Sequence, residues 1–275
     1  MATIKVFEVG HCTHLACLAA RGDGWKKRTF PARSYLIETE AGRWLWDTGY
    51  ATHFQEHTRT GVMSLYRRAT PVHFDAEQSA VRQLARHGYV PEDLTGVVIS
   101  HFHGDHIAGL KDFPQVPLLC SITGWESLRS LRGLSALLRG FVPALMPADF
   151  ERRAQWIERC PRVRLPDDLW PFQFGFVLPG GNAEILVVEL PGHAVGHIGA
   201  FVLTASGWEL LAGDAAWTQA NYRELRAPSL LTYGLLHDRA AYFQTLMKLH
   251  ELDKRGRVAI HLAHELGHQD GGYVV

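Results

Sequence analysis

The sequence has no net charge: 28 lysines and arginines are balanced by 28 aspartates and glutamates over 275 residues. A neutral chain has no electrostatic hold on a phosphate backbone, so nucleic acid is not an expected partner. It also lacks the basic run that binds anionic lipid. Cysteine is scarce. Cys12, Cys17, Cys120 and Cys160 are scattered, with no C-x-x-C pair. That excludes a disulfide framework and a cysteine-rich structural metal site, and leaves free thiols in a reducing compartment. Long apolar runs are missing as well. The best candidate, Leu134 to Met146, is broken by Arg139, Gly140 and Pro143, well short of the roughly 18 residues a membrane span needs. The N-terminus alternates apolar and polar residues from Met1 to Gly10, without the basic start and apolar core of a secretory signal. A cytoplasmic location is therefore expected.

What the chain does have is apolar material, 47% of its residues, and an excess of histidine, 16 in all. Histidine is the commonest metal ligand and titrates near neutrality. At about 150 residues per domain the length allows one large domain or two small ones. Tyr35 to Glu40, a turn at Ala41-Gly42, and Arg43 to Gly49 read as strand, turn, strand. Asp75 to Gly88 places apolar residues at 76, 80, 84 and 85, a helical spacing stopped by glycine. Val97 to Ser100 is a short buried strand. Ser121 to Leu145 reads as one or two helices, and Asp149 to Cys160 as another. Strands follow at Ala183 to Leu190, Gly199 to Leu203 and Trp208 to Leu211. A helix from Arg239 to Leu252 and a last strand from Arg257 to Leu262 complete the pattern. No repeat or linker interrupts it. One α/β domain over residues 1–275 is expected, with residues 111–180 as a helical elaboration.

The strongest chemical signal is Ser100-His101-Phe102-His103-Gly104-Asp105-His106, directly after the Val97 strand. His101 and His103 are two apart, so an extended chain points both to one side. Asp105 and His106 come where the chain turns into a helix and can face a second ion. A set of histidines and carboxylates leaves a coordination position open for water, unlike a closed cysteine site. Three later segments end strands with ligand-type residues: Pro191-Gly192-His193-Ala194-Val195-Gly196-His197, Gly213-Asp214, and His261-Leu262-Ala263-His264-Glu265. The glycines around His193 are read as allowing backbone to approach the metal closely.

Together, H-x-H-x-D-H, P-G-H-x-x-G-H, G-D and a late histidine resemble the metallo-β-lactamase superfamily, over nearly the whole chain from Val6 to Glu265. The resemblance implies a four-layer αββα sandwich and two divalent metal ions, with zinc expected. Iron, manganese and cobalt suit the same ligands. It implies that His101, His103 and His193 hold the first metal, that Asp105, His106 and His264 hold the second, and that Asp214 bridges them. His264 is preferred to His261 because Glu265 follows it, but strand alternation leaves the choice open. His197 and Asp47, the latter in Trp46-Asp47-Thr48-Gly49, are expected to buttress the ligands, although Asp47 reads equally well as a turn residue.

Such a centre would turn a bridging water into hydroxide and cleave an electrophilic bond, with Asp105 and Asp214 as the catalytic carboxylates. Within the superfamily, Asp214 and the missing signal argue against a true β-lactamase. The short stretch after His264 argues against a glyoxalase II-like thioesterase. Histidine at 103 argues against the di-iron oxygen-reducing members. The sequence is most similar to the N-acyl homoserine lactonase group, in the Ser34 to Gly42 hairpin followed by Asp47-Thr48-Gly49 and in the preceding Gly10-His11-Cys12 segment. A metal-dependent hydrolase opening a lactone or related ester is thus expected, on a small neutral substrate. A phosphodiesterase or thioesterase on the same site, and a non-catalytic metal sensor, are the alternatives. One departure stands out. Those lactonases carry a tyrosine three residues after the bridging aspartate, and here Trp217 occupies that position. Tyr222 and Tyr233 are the candidate replacements in the pocket. The Leu-, Phe- and Trp-containing segment 111–180 can line an acyl pocket, form the interface of a homodimer, or simply pack over the sandwich.

Overall fold

A strand buried on both faces sends alternate residues into two different cores, and that parity organises this molecule. The computed structural model describes residues 1–180 and 183–264. Its strands are β1 (Thr3–Leu15), β2 (Lys27–Thr39), β3 (Gly42–Trp46), β4 (Val72–His73), β5 (Gly96–Val98), β6 (Leu118–Cys120), β7 (Ala154–Trp156), β8 (Arg162–Arg164), β9 (Phe174–Val177), β10 (Ile185–Glu189), β11 (Ile198–Thr204), β12 (Gly207–Gly213) and β13 (Val258–Leu262). One sheet runs β4-β1-β2-β3-β5-β6-β7 and the other β13-β12-β11-β10-β9-β8.

Tyr35, Ile37, Trp44, Trp46, Val98 and Leu119 of the first sheet meet Ile185, Val187, Ala200, Val202 and Leu211 of the second in one buried layer. Their neighbours Leu36, Leu45, Val97 and Leu118 point the other way, into a core shared with Leu84, Ile107 and Leu110. Leu186, Val188, Phe201 and Leu210 likewise face Tyr242, Leu246 and Leu249 of the long helix Arg239–Arg255. Three apolar interfaces between four layers make the expected αββα sandwich. No helix among the described residues is long and apolar enough to cross a membrane.

Local differences from the sequence reading have simple causes. The segment 75–88 is a 3-10 turn, Ala76–Gln78, followed by the helix Ala80–Arg86; the Asp75 carboxylate caps the turn by accepting from the Glu77 amide at 2.8 Å. The expected helix from Asp149 to Cys160 is helical only over Phe150–Arg153, then becomes β7 and a 3-10 turn. The expected helical elaboration at 111–180 also supplies β6 and β7 to the first sheet and β8 and β9 to the second. These strands have three or four residues each, too few to show a period of two in the sequence.

Strand directions place the site. β3 and β5 are parallel, as are β12 and β13, and β10 runs antiparallel to β11, which runs antiparallel to β12. The C-terminal ends of β10, β12 and β13 therefore lie at one edge of their sheet. β3 and β5 likewise end together in theirs. The segments bearing His193, Asp214 and His264 follow the first set; those bearing Asp47 and His101 follow the second.

Away from that edge, Glu38 on β2 accepts from the Tyr89 hydroxyl at 2.6 Å and from Arg43 Nε at 3.2 Å, and is paired with Lys5. Burial would raise its pKa, but these three donors outweigh burial and hold it down at about 2, against 4.5 for an ordinary glutamate. A depressed carboxylate stabilises the fold above its unfolded pKa and loses that contribution as pH falls through the folded value. Glu38→Gln is expected to cost about 1–2 kcal/mol at pH 7 after allowance for solvent screening. The gap to the parent should narrow progressively as pH falls from about 4.5 toward 2, as followed by denaturant unfolding.

Candidate metal centre

The loop after β5 brings its histidines inward because Asp47, at the end of β3, grips the loop. Asp47 adopts φ 56°, a left-handed conformation that aspartate tolerates better than most residues. Its Oδ1 accepts from the Ser100 amide at 2.8 Å, and its Oδ2 accepts from the Ser100 hydroxyl at 2.7 Å and from His106 Nδ1 at 2.8 Å. His101 Nδ1 in turn lies 3.1 Å from Ser100 Oγ. With their Nδ1 atoms so engaged, His101 and His106 present Nε2 to the interior.

Two groups of ligand-type atoms result, each within 4.8 Å: His101, His103, His193 and Asp214 in one, Asp105, His106 and His264 in the other. Asp214 touches both. Its Oδ2 is 3.3 Å from His193 Nε2 and 3.1 Å from His264 Nε2, and its Oδ1 is 3.3 Å from His106 Nε2. The aspartate is aimed by a bulge between Leu211 and Gly213 at the end of β12. His197 steadies its backbone: Nδ1 donates to the Leu190 carbonyl at 2.9 Å, so Nε2 accepts the Asp214 amide at 3.3 Å. His264 donates from Nδ1 to the Pro31 carbonyl at 2.7 Å, and its Nε2 faces Asp105 at 3.2 Å.

His261 goes elsewhere. It lies on β13 with its Nε2 2.7 Å from Glu209 Oε2, so the late histidine brought to the cluster is His264. Glu265, which prompted that preference, lies outside the described residues. Trp217 borders the cluster, with its ring edge-on to His193 at 5.6 Å. Of the other two candidate pocket residues, Tyr222 needs correction. Tyr222 is fully buried in the core under the long helix, so it cannot line an open pocket. The half-buried Tyr233 ring has the guanidinium groups of Arg21 and Arg239 at 5.0 and 5.5 Å from its centre. The glycines flanking His193 also do different work from that expected. A Cβ on Gly192 would come within 2.1 Å of the Tyr242 amide nitrogen, and one on Gly196 within 2.6 Å of the Gly124 amide nitrogen. Neighbouring residues close against both glycines: the Tyr242 backbone at Gly192, and Ser121 Oγ with the Gly124 amide at Gly196.

Sequence reasoning missed several neighbours. Pro31 and Leu190 act through backbone carbonyls, which leave no trace in residue type. Burial and then the charge of Asp105 push the phenols of Tyr50 and Tyr66 well above their usual value, and burial pushes the Cys12 thiol up to about 11. All three stay neutral at the edge of the cluster.

Electrostatics divides the imidazoles. Burial, reinforced by neighbouring imidazoles, drives His101 well below 6.5, and burial likewise depresses His193 and holds His103 at about 4. Burial would lower His106 and His264 too, but the carboxylates around them win and raise both. Burial would raise Asp105 and Asp214, but the facing imidazoles keep both ionised. The donor set suits a cation. His101 Nε2, His106 Nε2 and Asp214 Oδ1 are buried with no hydrogen-bond partner, and each such atom costs about 1–3 kcal/mol if nothing satisfies it. Imidazole nitrogens and two carboxylates around a common centre are a donor set that suits a divalent ion.

Comparison with known proteins places this arrangement. The family model for the metallo-beta-lactamase superfamily matches residues 28–261. A probable metallo-hydrolase of Mycobacterium tuberculosis is 29% identical over 232 residues, covering 79% of this chain and 70% of that protein. An N-acyl homoserine lactonase of Bacillus thuringiensis is 27% identical over 200 residues, covering 72% and 69%. Among solved structures, an N-acyl homoserine lactone hydrolase with N-hexanoyl-L-homoserine at its catalytic metal center superposes with a TM-score of 0.70 at 21% identity, covering 95% of this chain and 92% of that one.

The tight seat of Gly192 gives a direct test. At φ 124° and with backbone 2.1 Å from an added Cβ, Gly192→Ala should lose about 3 kcal/mol or more in denaturant unfolding. An unfolding midpoint equal to that of the parent would contradict the packing described.

Proposed function

The chain belongs to the metallo-beta-lactamase superfamily, and from that premise we propose that it is a dinuclear metal-dependent hydrolase that opens a lactone or a related carboxylic ester. The observation that carries the reading is Asp214, whose carboxylate faces imidazoles of both ligand groups within 3.3 Å. His101, His103, His193 and Asp214 would hold one cation, and Asp105, His106, His264 and Asp214 the other, with zinc the expected metal. Bound there, two such ions supply a water nucleophile near neutral pH and polarise the scissile carbonyl.

The protein's own residues do the rest. His101, His103 and His193, kept neutral by burial, offer lone pairs without first losing a proton. Asp47 and the Pro31 carbonyl fix the tautomers of His106 and His264, so that Nε2 of each faces inward. Asp105, ionised and only partly covered, is placed to accept a proton from the attacking water and return it to the leaving oxygen. The Ser100 hydroxyl donates to Asp47 Oδ2 at 2.7 Å and so supports the loop; no role as a nucleophile is assigned to it. Support for the substrate class comes from the zero net charge, which favours a small neutral molecule, and from the lactonases among the relatives.

Purified protein should contain about two equivalents of divalent metal per chain and turn over lactones or simple aryl esters. Hydrolysis confined to phosphodiesters, or no hydrolysis by metal-loaded protein, would overturn the substrate assignment. Asp105→Asn should lower kcat by about a hundredfold or more with an unchanged circular dichroism spectrum. His193→Ala should lower metal content together with rate. Full activity in either variant would show that the ligand assignment is wrong.

A further inference from the structure

Trp217 is held in an unusually determined position for a half-buried side chain. Its ring meets His193 edge-on and packs against the buried group Cys12, Ala19 and Phe30. Its backbone is pinned by Asn221, which is fully buried. Asn221 Oδ1 accepts the amides of Trp217 and Thr218, both at 2.9 Å, and its Nδ2 donates to the carbonyls of Ala19 and Arg226 at 2.9 and 2.8 Å. So oriented, the indole Nε1–H donates to Asp214 Oδ2 at 3.2 Å. This is the carboxylate oxygen that also faces His193 and His264.

We propose that Trp217 is a positioning residue for the shared carboxylate: its indole N–H fixes the orientation of Asp214, so that one carboxylate serves both halves of the centre. The inference rests on the reading of Asp214 as a ligand common to two ions. It follows that the 217 side chain cannot also hold a substrate oxygen. An indole has one N–H and no acceptor, and that N–H is committed to Asp214. Substrate passing this wall meets the ring of Trp217, so any hydrogen bond to its carbonyl must come from another group.

Two replacements separate hydrogen bonding from packing. Trp217→Phe removes the donor and part of the ring. Benzothienylalanine at 217, introduced by an expanded genetic code, keeps the bicyclic shape and replaces N–H by sulfur. Competition with a chelator for zinc should show metal affinity about tenfold or more weaker in both, the range expected when a group orienting a ligand is lost. The visible spectrum of the cobalt(II)-substituted protein should shift, and kcat should fall with KM little changed. The benzothienylalanine protein should lose less stability in its metal-free form than in its metal-loaded form. Parent-like zinc affinity and cobalt spectrum in the benzothienylalanine protein would overturn the proposal. So would an equal loss of stability in its metal-free and metal-loaded forms, because that is a packing effect. If the parent itself binds fewer than about two equivalents, the shared-ligand reading fails, and that measurement is independent of either replacement.

Discussion

The arrangement depends on one buried carboxylate that two sets of imidazoles must share. Asp214 lies within 3.3 Å of His106, His193 and His264, which follow three different strands. A charge in that setting is tolerable only if it is closely partnered. Much of the surrounding structure supplies those partners and holds them still. The bulge at the end of β12 aims the carboxylate, His197 fixes its amide, and Trp217 takes one oxygen. Facing imidazoles keep it ionised against the penalty of burial.

A second ring of contacts ties the cluster to both sheets. Asp47, from the first sheet, fixes His106 and Ser100. The Pro31 carbonyl on β2 fixes His264, which follows the last strand of the second sheet. The ligand groups are therefore assembled across the sandwich, and the apolar layer between the sheets, built on Trp44, Trp46, Val187 and Leu211, sets the distance between them. Sites on regular elements with such support are more rigid than sites on free loops. That support holds Asp105, His106 and Asp214 in fixed relation to one another.

Legibility from sequence tracked element length and side-chain chemistry. The runs at Tyr35 to Gly49 and Ala183 to Leu211 are apolar enough to read as strands, while the layered architecture came from the motifs that resemble the superfamily. The strands β6 to β9 were hidden because three or four residues do not make a pattern. At the site, His101, His103, His106, His193 and Asp214 were legible because ligand chemistry restricts residue type and because the H-x-H-x-D-H spacing is compact. Tyr222 was misplaced as a pocket residue because an aromatic side chain serves a core and a pocket equally well, and sequence does not say which side of the helical layer it faces.

What the sequence determined by itself was therefore the kind of chemistry: histidines and carboxylates at strand ends, and no charge for a polyanion. The tertiary structure decided the assignments that depend on direction. It sent His261 to Glu209 and His264 to the cluster, turned Trp217 toward Asp214, and seated Gly192 against the Tyr242 backbone. The physical reason is that coordination and hydrogen bonding are set by distances and angles between segments far apart in the chain. His264 and Pro31 are 233 residues apart, and only folding brings that carbonyl to that imidazole.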